Sequence, residues 1–450
     1  MTGSSMGPVG IGWRREIAAD LLARRASVDF VEVIAETCFT QSTQRREALA
    51  LSHVWPVIPH GVKLSLGSAE GVDEERAKRL GDLARELRAP FITEHVALTS
   101  AGGTEIGHLT QLPRTRQAVA VVARNVDRAR RHLPDVPFVL ENIAWTLRWP
   151  DDEMPEEAFY EAISRATGCP LLIDLGNLYA NALNEGRDPA AVLRGYPLDR
   201  VTMVHIAGGH RDGDFYFDDH ASPVPDGVFD LLAELVSRRG AVATLLERDA
   251  NFPPFSALEG ELARARSIVA PAGPLTLLPC VAPTETPGDE DPARLDLYAR
   301  AQGELARSLT GREGAHEGIR ATDLARSRAV LERKRIDDAL PLLARLAGHG
   351  ARIQELARRA IEAHPRPPRG AALSDAWRIA REAEGDPVMA GDARVDLLVL
   401  RARFKPPTAP GEAPRERAAP FVGSASARGA TKVWAVKGLG AAARVRLYER

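Results

Sequence analysis

PFVLENIAWTLRWPDDEMPEEAFYEAISRATGCPLLIDLGNLYAN, residues 137–181, is the stretch whose reading decides the fold. Two short aliphatic runs in it each end in a carboxylate. Phe138, Val139 and Leu140 lead into Glu141 and Asn142, and Leu171, Leu172 and Ile173 lead into Asp174. Short unbroken apolar runs read as strands buried on both faces, and the amphipathic residues 156–166 between them read as a crossover helix. The unit is therefore βαβ, with an acid at the carboxyl end of each strand. A carboxylate so placed faces an enclosed mouth, where an uncompensated charge is strongly disfavoured. A metal ion between the two acids is the simplest compensation.

The same grammar extends outward. Residues 10–13, 28–34, 57–61, 91–95, 201–205 and 241–247 are further apolar or β-rich runs, most of them stopping on an ionisable group. Amphipathic segments separate them, among them residues 73–87 and 114–131. Eight strand candidates alternating with helices over about 270 residues predict an α/β fold of the TIM type, a (β/α)8 barrel with its site at the carboxyl ends of the strands. A doubly wound open sheet would carry a glycine-rich phosphate loop after its first strand. Residues 7–12, GPVGIG, lack both the preceding strand and the spacing.

The expected organisation is a metal-binding barrel over residues 1–270, a Pro-rich linker over 271–292, a small all-α domain over 293–404 and a basic, partly flexible tail over 405–450. The tail holds nine basic and three acidic residues, and residues 432–436 with 445–448 allow a late hairpin. Formal net charge is −2, so bulk electrostatics favours neither nucleic acid nor an anionic membrane as a partner. No apolar run reaches membrane-spanning length and the N-terminus has no secretory pattern, which gives the expectation of a cytoplasmic chain. Cys38, Cys169 and Cys280 are widely spaced and odd in number, so they read as buried or linker thiols, with neither a disulfide framework nor a zinc knuckle.

The ionisable residues at strand ends are Glu36, His60, Glu94 or His95, Glu141, Asp174, His205 and Glu247, with Asp218 and His220 in a loop between the last two. Each alone is explained as a hydrogen-bonded core histidine, a cap neighbour or a turn residue. Four histidines and four carboxylates gathered at one barrel mouth point instead to metal. Mixed imidazole and carboxylate ligands without thiolate suit iron, manganese or zinc. About eight ligands exceed what one ion with an open position needs, which favours two or three ions sharing a carboxylate. Ligand type leaves oxidation, hydrolysis and isomerisation open.

Seven motifs, HGVKLSLGS (60–68), TEHVALTS (93–100), LENIAW (140–145), LIDLGNLYANALNEG (172–186), HIAGG (205–209), DDHASPVPDGVFDLL (218–232) and LLERDANFP (245–253), together resemble the multinuclear non-heme iron-dependent oxidative enzymes. These are TIM barrels that modify ribosomally made precursor peptides, and the resemblance spans roughly residues 8–270. It implies a centre of two or three iron ions, O2 as co-substrate, and oxidation of a peptide side chain, commonly cysteine. The ligands it implies are His60, His95, Glu141, Asp174, His205, Asp218, His220 and Glu247, with Asn177 also close to the metal, Glu141 as a bridge, and Glu141, Asp174 and His205 central to catalysis. At 174–177 this chain reads Asp-Leu-Gly-Asn, where the common family pattern resembles Asp-Val-Asn-Asn. Relatives usually work with a partner protein that captures the precursor's leader, and the fused helical domain is the candidate for that task here, or for docking another subunit. The alternative on the same barrel is a divalent-metal sugar isomerase or a hydrolase similar to endonucleases acting at abasic sites. No Lys/Arg cluster near the motifs supports the latter. A catalytically silent scaffold would have no need to hold eight desolvated polar groups together.

Overall fold

The eight apolar runs are the eight parallel strands of a closed barrel: β1 Val9–Gly12, β2 Phe30–Ile34, β3 Val57–Gly61, β4 Ile92–His95, β5 Phe138–Glu141, β6 Leu171–Asp174, β7 Val201–Ile206 and β8 Ala243–Leu246. Sequential strands are neighbours, and β1 closes the ring against β8. In this computed structural model the described residues are 7–40, 42–285, 292–311, 316–362, 364–366, 370–406, 414–427, 431–440 and 444–449.

Residues of β2 to β8 are almost entirely buried, because strands of a closed barrel face packed side chains inside and covering helices outside. Helices Glu74–Leu87, Arg116–Arg130 and Leu175–Glu185 begin where Asp73, Thr115 and Asp174 accept a backbone N–H of the first turn, each cap contributing about 1 kcal/mol. The barrel interior at the amino ends of the strands is filled by Phe30, Ile58, Phe91, Val139, Leu172, Met203 and Ala243. Leu275 and Leu277, within the stretch expected to be a Pro-rich linker, pack against this layer. Residues 286–291 of that stretch lie outside the described residues.

Two hairpins interrupt the β/α alternation, both after strands that carry site residues. The glycine-rich stretch at 101–104 is the turn of one, between Leu98–Ala101 and Thr104–Thr110. The other joins Gly208–Asp212 to Phe215–Ser222, with a bulge between Gly208 and Gly209. Asp218 and His220 thus sit on a strand and not in a loop. The alternation of that strand with polar residues is a surface hairpin pattern, which reads as a turn when no partner strand is in view.

Contacts divide the chain into two units, residues 1–99 with 109–299 and residues 100–108 with 300–450. A hairpin tip thereby joins the second unit, a grouping that chain order does not reveal. In the second unit, helices Ala321–Ala339, Ala351–Glu362, Ala371–Ala383 and Ala390–Arg403 share a core that includes Leu343, Leu346, Ile353, Ile361, Trp377 and Leu397. Arg335 donates to both oxygens of buried Asp375 at 2.8 and 2.9 Å, a two-pronged pairing that offsets burial of both charges. The C-terminal segment forms a three-stranded antiparallel sheet, Phe421–Ser426, Lys432–Lys437 and Val445–Glu449, where the sequence allowed only a late hairpin. Val433 and Ala435 face Val395, Leu398 and Ala402 of the last helix. Residues 407–413, 428–430, 441–443 and 450 of the expected tail lie outside the described residues.

Candidate metal centre

Each barrel strand ends at one mouth, and strand register decides which donors meet there. His95 of β4 is level with Glu141 of β5, and Asp174 of β6 with His205 of β7. The donors converge in three groups whose ligand atoms lie within 4.8 Å of one another: His60, His95 and Glu141; Glu141, Asp174 and His205; Asp174, His220 and Glu247. Glu141 belongs to the first two and Asp174 to the last two.

Glu141 Oε2 lies 3.7 Å from His60 Nδ1 and 3.4 Å from His95 Nε2, while Oε1 lies 3.2 Å from His205 Nδ1. His205 Nδ1 is also 3.1 Å from Glu247 Oε2, and His220 Nδ1 is 3.3 Å from the same oxygen. His220 Nε2 is 2.5 Å from Asp218 Oδ2 and 3.7 Å from Asp174 Oδ2. These atoms are close without hydrogen-bond geometry in many cases. Glu141 Oε2, Asp174 Oδ2, Asp218 Oδ1, His95 Nδ1, His220 Nε2 and both His205 nitrogens are buried with no hydrogen-bond partner. Buried polar atoms are ordinarily paired, so the orphaned atoms that lie within the converging groups, such as Glu141 Oε2 and Asp174 Oδ2, fit cations of the His/carboxylate-binding kind.

Burial is the largest influence on every ionisable group at the mouth. Burial pushes Glu141 up to about 8, only partly opposed by His205. Burial, with Asp218 adding to it, raises Asp174 to about 6. Burial lowers His60 well below the ordinary histidine value and His95 to about 3, with neighbouring imidazoles contributing. Burial acts against charge at His205 and His220 too, yet Glu32 and Glu141 at the first, and Asp218 and Glu247 at the second, lift both well above the usual value. Neutral His60 and His95 are in the state that ligates metal.

Asp174 has two tasks. Its Oδ1 accepts the backbone N–H of Asn177 at 2.7 Å as the cap of helix Leu175–Glu185, which leaves Oδ2 for the cluster. Asn142 ties the strand ends together, its Oδ1 accepting the Asp174 N–H at 2.7 Å and its Nδ2 donating to the Asp174 carbonyl at 3.2 Å. Asn177 donates its side-chain amide to the Asn142 carbonyl at 3.1 Å, so it is engaged in this framework. His220 has a positive φ of 51°, an uncommon backbone state for a non-glycine residue, and its carbonyl accepts the Asp249 N–H at 2.8 Å.

Glu36 and Glu94 are not in the converging groups. Glu36 accepts the Val62 N–H, and Glu94 accepts those of Leu64 and His95, so both organise the turn after β3. The sequence reading missed Glu32, whose Oε2 lies 3.3 Å from His205 Nε2. Its signal was present: Phe30 and Glu32 share one face of β2, and a buried acid in the middle of an apolar strand needs a partner. Arg14, just past β1, was also missed. It pairs with Asp249 and lies 3.5 Å from Glu247 Oε1.

The fold and the donors define a class, a (β/α)8 barrel with clustered candidate His/carboxylate metal ligands at its carboxyl mouth. The profile described as RiPP precursor modification enzyme MbnB/TglH/ChrH matches residues 8–270, more than half of the chain, and the chain belongs to that family. It is 42% identical over 275 residues to a UPF0276 protein of Streptomyces avermitilis, across 59% of this chain and 55% of that protein. It thus spans about half the length of that relative. It is 36% identical over 271 residues to a UPF0276 protein of Rhizorhabdus wittichii, across 60% of this chain and 97% of that protein. Among solved structures, L-ribulose 3-epimerase (TM-score 0.38, 16% identity, 59% of this chain and 94% of that one) and endonuclease IV from Thermus thermophilus (0.39, 15%, 58% and 98%) are similar at a level from which no function is carried over. No helix among the described residues is long and apolar enough to cross a membrane.

Proposed function

We propose that this chain is a multinuclear iron-dependent oxidase that uses O2 to oxidise a side chain, most simply a cysteine, of a ribosomally synthesised precursor peptide. The observation that carries the reading is the sharing of Glu141 and Asp174 among the three donor groups, which suits neighbouring ions better than one isolated ion. Membership in a precursor-modifying family supports the peptide as substrate.

His60, His95, Glu141, Asp174, His205, Asp218, His220 and Glu247 would hold the iron. Bound iron would supply an open coordination position for a substrate thiolate and a route for electrons to O2. The protein's own contribution is positional and electrostatic. Glu141 holds two histidine sets in fixed relation, and Asn142 locks the ends of β5 and β6 so that Asp174 and Glu141 keep their separation. Glu32, 3.3 Å behind Nε2 of His205, supplies a carboxylate charge on the far side of that imidazole. Complete burial of His205 and Asp174 excludes bulk water from the centre of the cluster, where a reactive species would otherwise be quenched. In this reading residues 300–450 recognise the precursor or another subunit.

The test is metal analysis and Mössbauer spectroscopy on anaerobically prepared, iron-supplied protein, followed by O2 consumption with a Cys-containing peptide encoded beside the gene. Two or more coupled irons per chain and peptide-dependent O2 uptake are expected. Stoichiometric zinc or manganese without iron uptake would overturn the oxidase and favour hydrolysis or isomerisation.

A further inference from the structure

Cys169 and Cys280 lie 111 positions apart in the chain, yet their Sγ atoms are 3.9 Å from one another. They meet at the closed amino end of the barrel, away from the strand ends that carry the metal candidates. Cys169 lies two positions before β6, and Cys280 lies on the segment 273–285, which runs under the barrel. That segment is anchored by Leu275 and Leu277 in the bottom core layer, by the Leu278 N–H on Thr202 Oγ1 at 3.0 Å, and by the Val281 N–H on the Gly168 carbonyl at 2.9 Å. Gly168 has φ +70°, and a Cβ there would overlap the Val281 carbonyl, so glycine is needed for the approach that brings the sulfurs together.

We propose that Cys280 and Cys169 form a peroxide-reactive thiol pair, in which Cys280 is oxidised by a hydroperoxide and Cys169 resolves it to a disulfide that staples segment 273–285 to the barrel. The three free cysteines differ in the way this chemistry requires. Cys280 is partly exposed and can meet a small oxidant, whereas Cys38 and Cys169 are buried. The Phe138 N–H points at Cys280 Sγ at 3.4 Å and can stabilise a thiolate. The Cys169 contact, the Phe138 N–H and the positive charges of Arg130 and Arg200 favour the Cys280 thiolate, outweighing burial and lowering it to about 6, while burial raises Cys38.

The balance is simple. The Cys280 thiolate attacks one peroxide oxygen, the S–O bond forms as the O–O bond breaks, and the departing hydroxide takes a proton to become water. Cys169 sulfur then attacks Cys280 sulfur. The S–S bond forms, the S–O bond breaks, and the departing oxygen leaves as water with the Cys169 proton. Two thiols lose two electrons, and one hydrogen peroxide becomes two waters. The sulfurs must close from 3.9 Å to a bonded distance of about 2 Å, which side-chain rotation with a small shift of the segment supplies.

The test treats the reduced full chain with stoichiometric hydrogen peroxide and maps peptides without reductant. Expected are a Cys169–Cys280 linked peptide, a mass loss of two hydrogens reversed by a dithiol, and alkylation of Cys280 faster than Cys38 by more than about 10-fold at neutral pH. Cys169→Ser should stop at a sulfenic acid on residue 280 that dimedone traps, and Cys280→Ser should yield no link. Both variants lie away from the donor cluster, so metal content should be unchanged. Sulfinic acid at Cys280 of the unmutated chain without any link, or equal alkylation of Cys38 and Cys280, would overturn the proposal.

Discussion

Nδ1 of His205 lies 3.2 Å from Oε1 of Glu141, on the side of the carboxylate opposite to His60 and His95. One side chain therefore joins two sets of imidazoles. Glu141→Ala should reduce bound metal by at least one ion per chain and lower activity more than about 100-fold, with far-UV circular dichroism unchanged. Unaltered metal stoichiometry would remove Glu141 from its bridging position.

Glu32 tests whether support behind a ligand matters as much as the ligand. It faces Nε2 of His205, the nitrogen turned away from Glu141. Glu32→Gln keeps the volume but removes the carboxylate charge beside that imidazole, so metal affinity should fall about 10- to 100-fold without loss of ion stoichiometry. Competition with a chelator of known affinity measures it.

Metal uptake should depend on pH with a defined sign. In the metal-free chain Glu141 is held up to about 8 and Asp174 to about 6, chiefly by burial, and His205 and His220 are raised by their carboxylate neighbours. At neutral pH the site carries protons that a cation must displace, so affinity rises between pH 6 and pH 8 and binding releases protons. Calorimetry in two buffers of different ionisation enthalpy counts them. A pH-independent affinity would place the metal elsewhere.

Gly176 lies where a Cβ would come 2.9 Å from Asp218 Oδ1 and 3.1 Å from Asp174 Oδ1. The position is helical, so Gly176→Ala would gain up to about 1 kcal/mol from propensity alone. The contacts predict the opposite for function: Asp174 and Asp218 must move, and metal held by the group of Asp174, His220 and Glu247 should be lost first. Metal titration against thermal unfolding separates the two effects.

Glu156, outside the converging donor groups, is buried between Tyr196 and Asn181, whose side chains donate to it at 2.5 and 2.8 Å. Burial raises it from 4.5 to about 7, only partly offset by these bonds. The folded chain then retains a proton that the unfolded chain has lost, so this group's contribution to stability declines as pH rises from about 4.5 to about 7 and is level above. Glu156→Gln should remove roughly 3 kcal/mol of that decline, seen in urea unfolding from pH 5 to pH 8 as a flatter profile than the unmutated chain.

The barrel was legible because its evidence is local. A strand such as Phe138–Glu141 must be continuously apolar to be buried on two faces, and the helix Glu156–Thr167 must show one apolar stripe. Polar residues at the ends of such runs then identify the mouth, which is why His60, Glu141, Asp174, His205 and Glu247 could be named in advance. Glu32 is marked in sequence as an acid inside an apolar run, whereas Glu36, beyond the end of that run, accepts the Val62 N–H and stays outside the converging groups.

What the linear chain determined by itself was the period of each element, the order of strands and the chemical kind of donors at their ends, because these depend on side chains a few positions apart. Only the tertiary structure decided which donors share a point, that Asn177 serves Asn142, that segment 273–285 packs under the barrel, and that Cys280 meets Cys169. Those facts depend on strand register and ring closure, which bring residues more than a hundred positions apart within a few ångströms and leave no periodic trace in sequence.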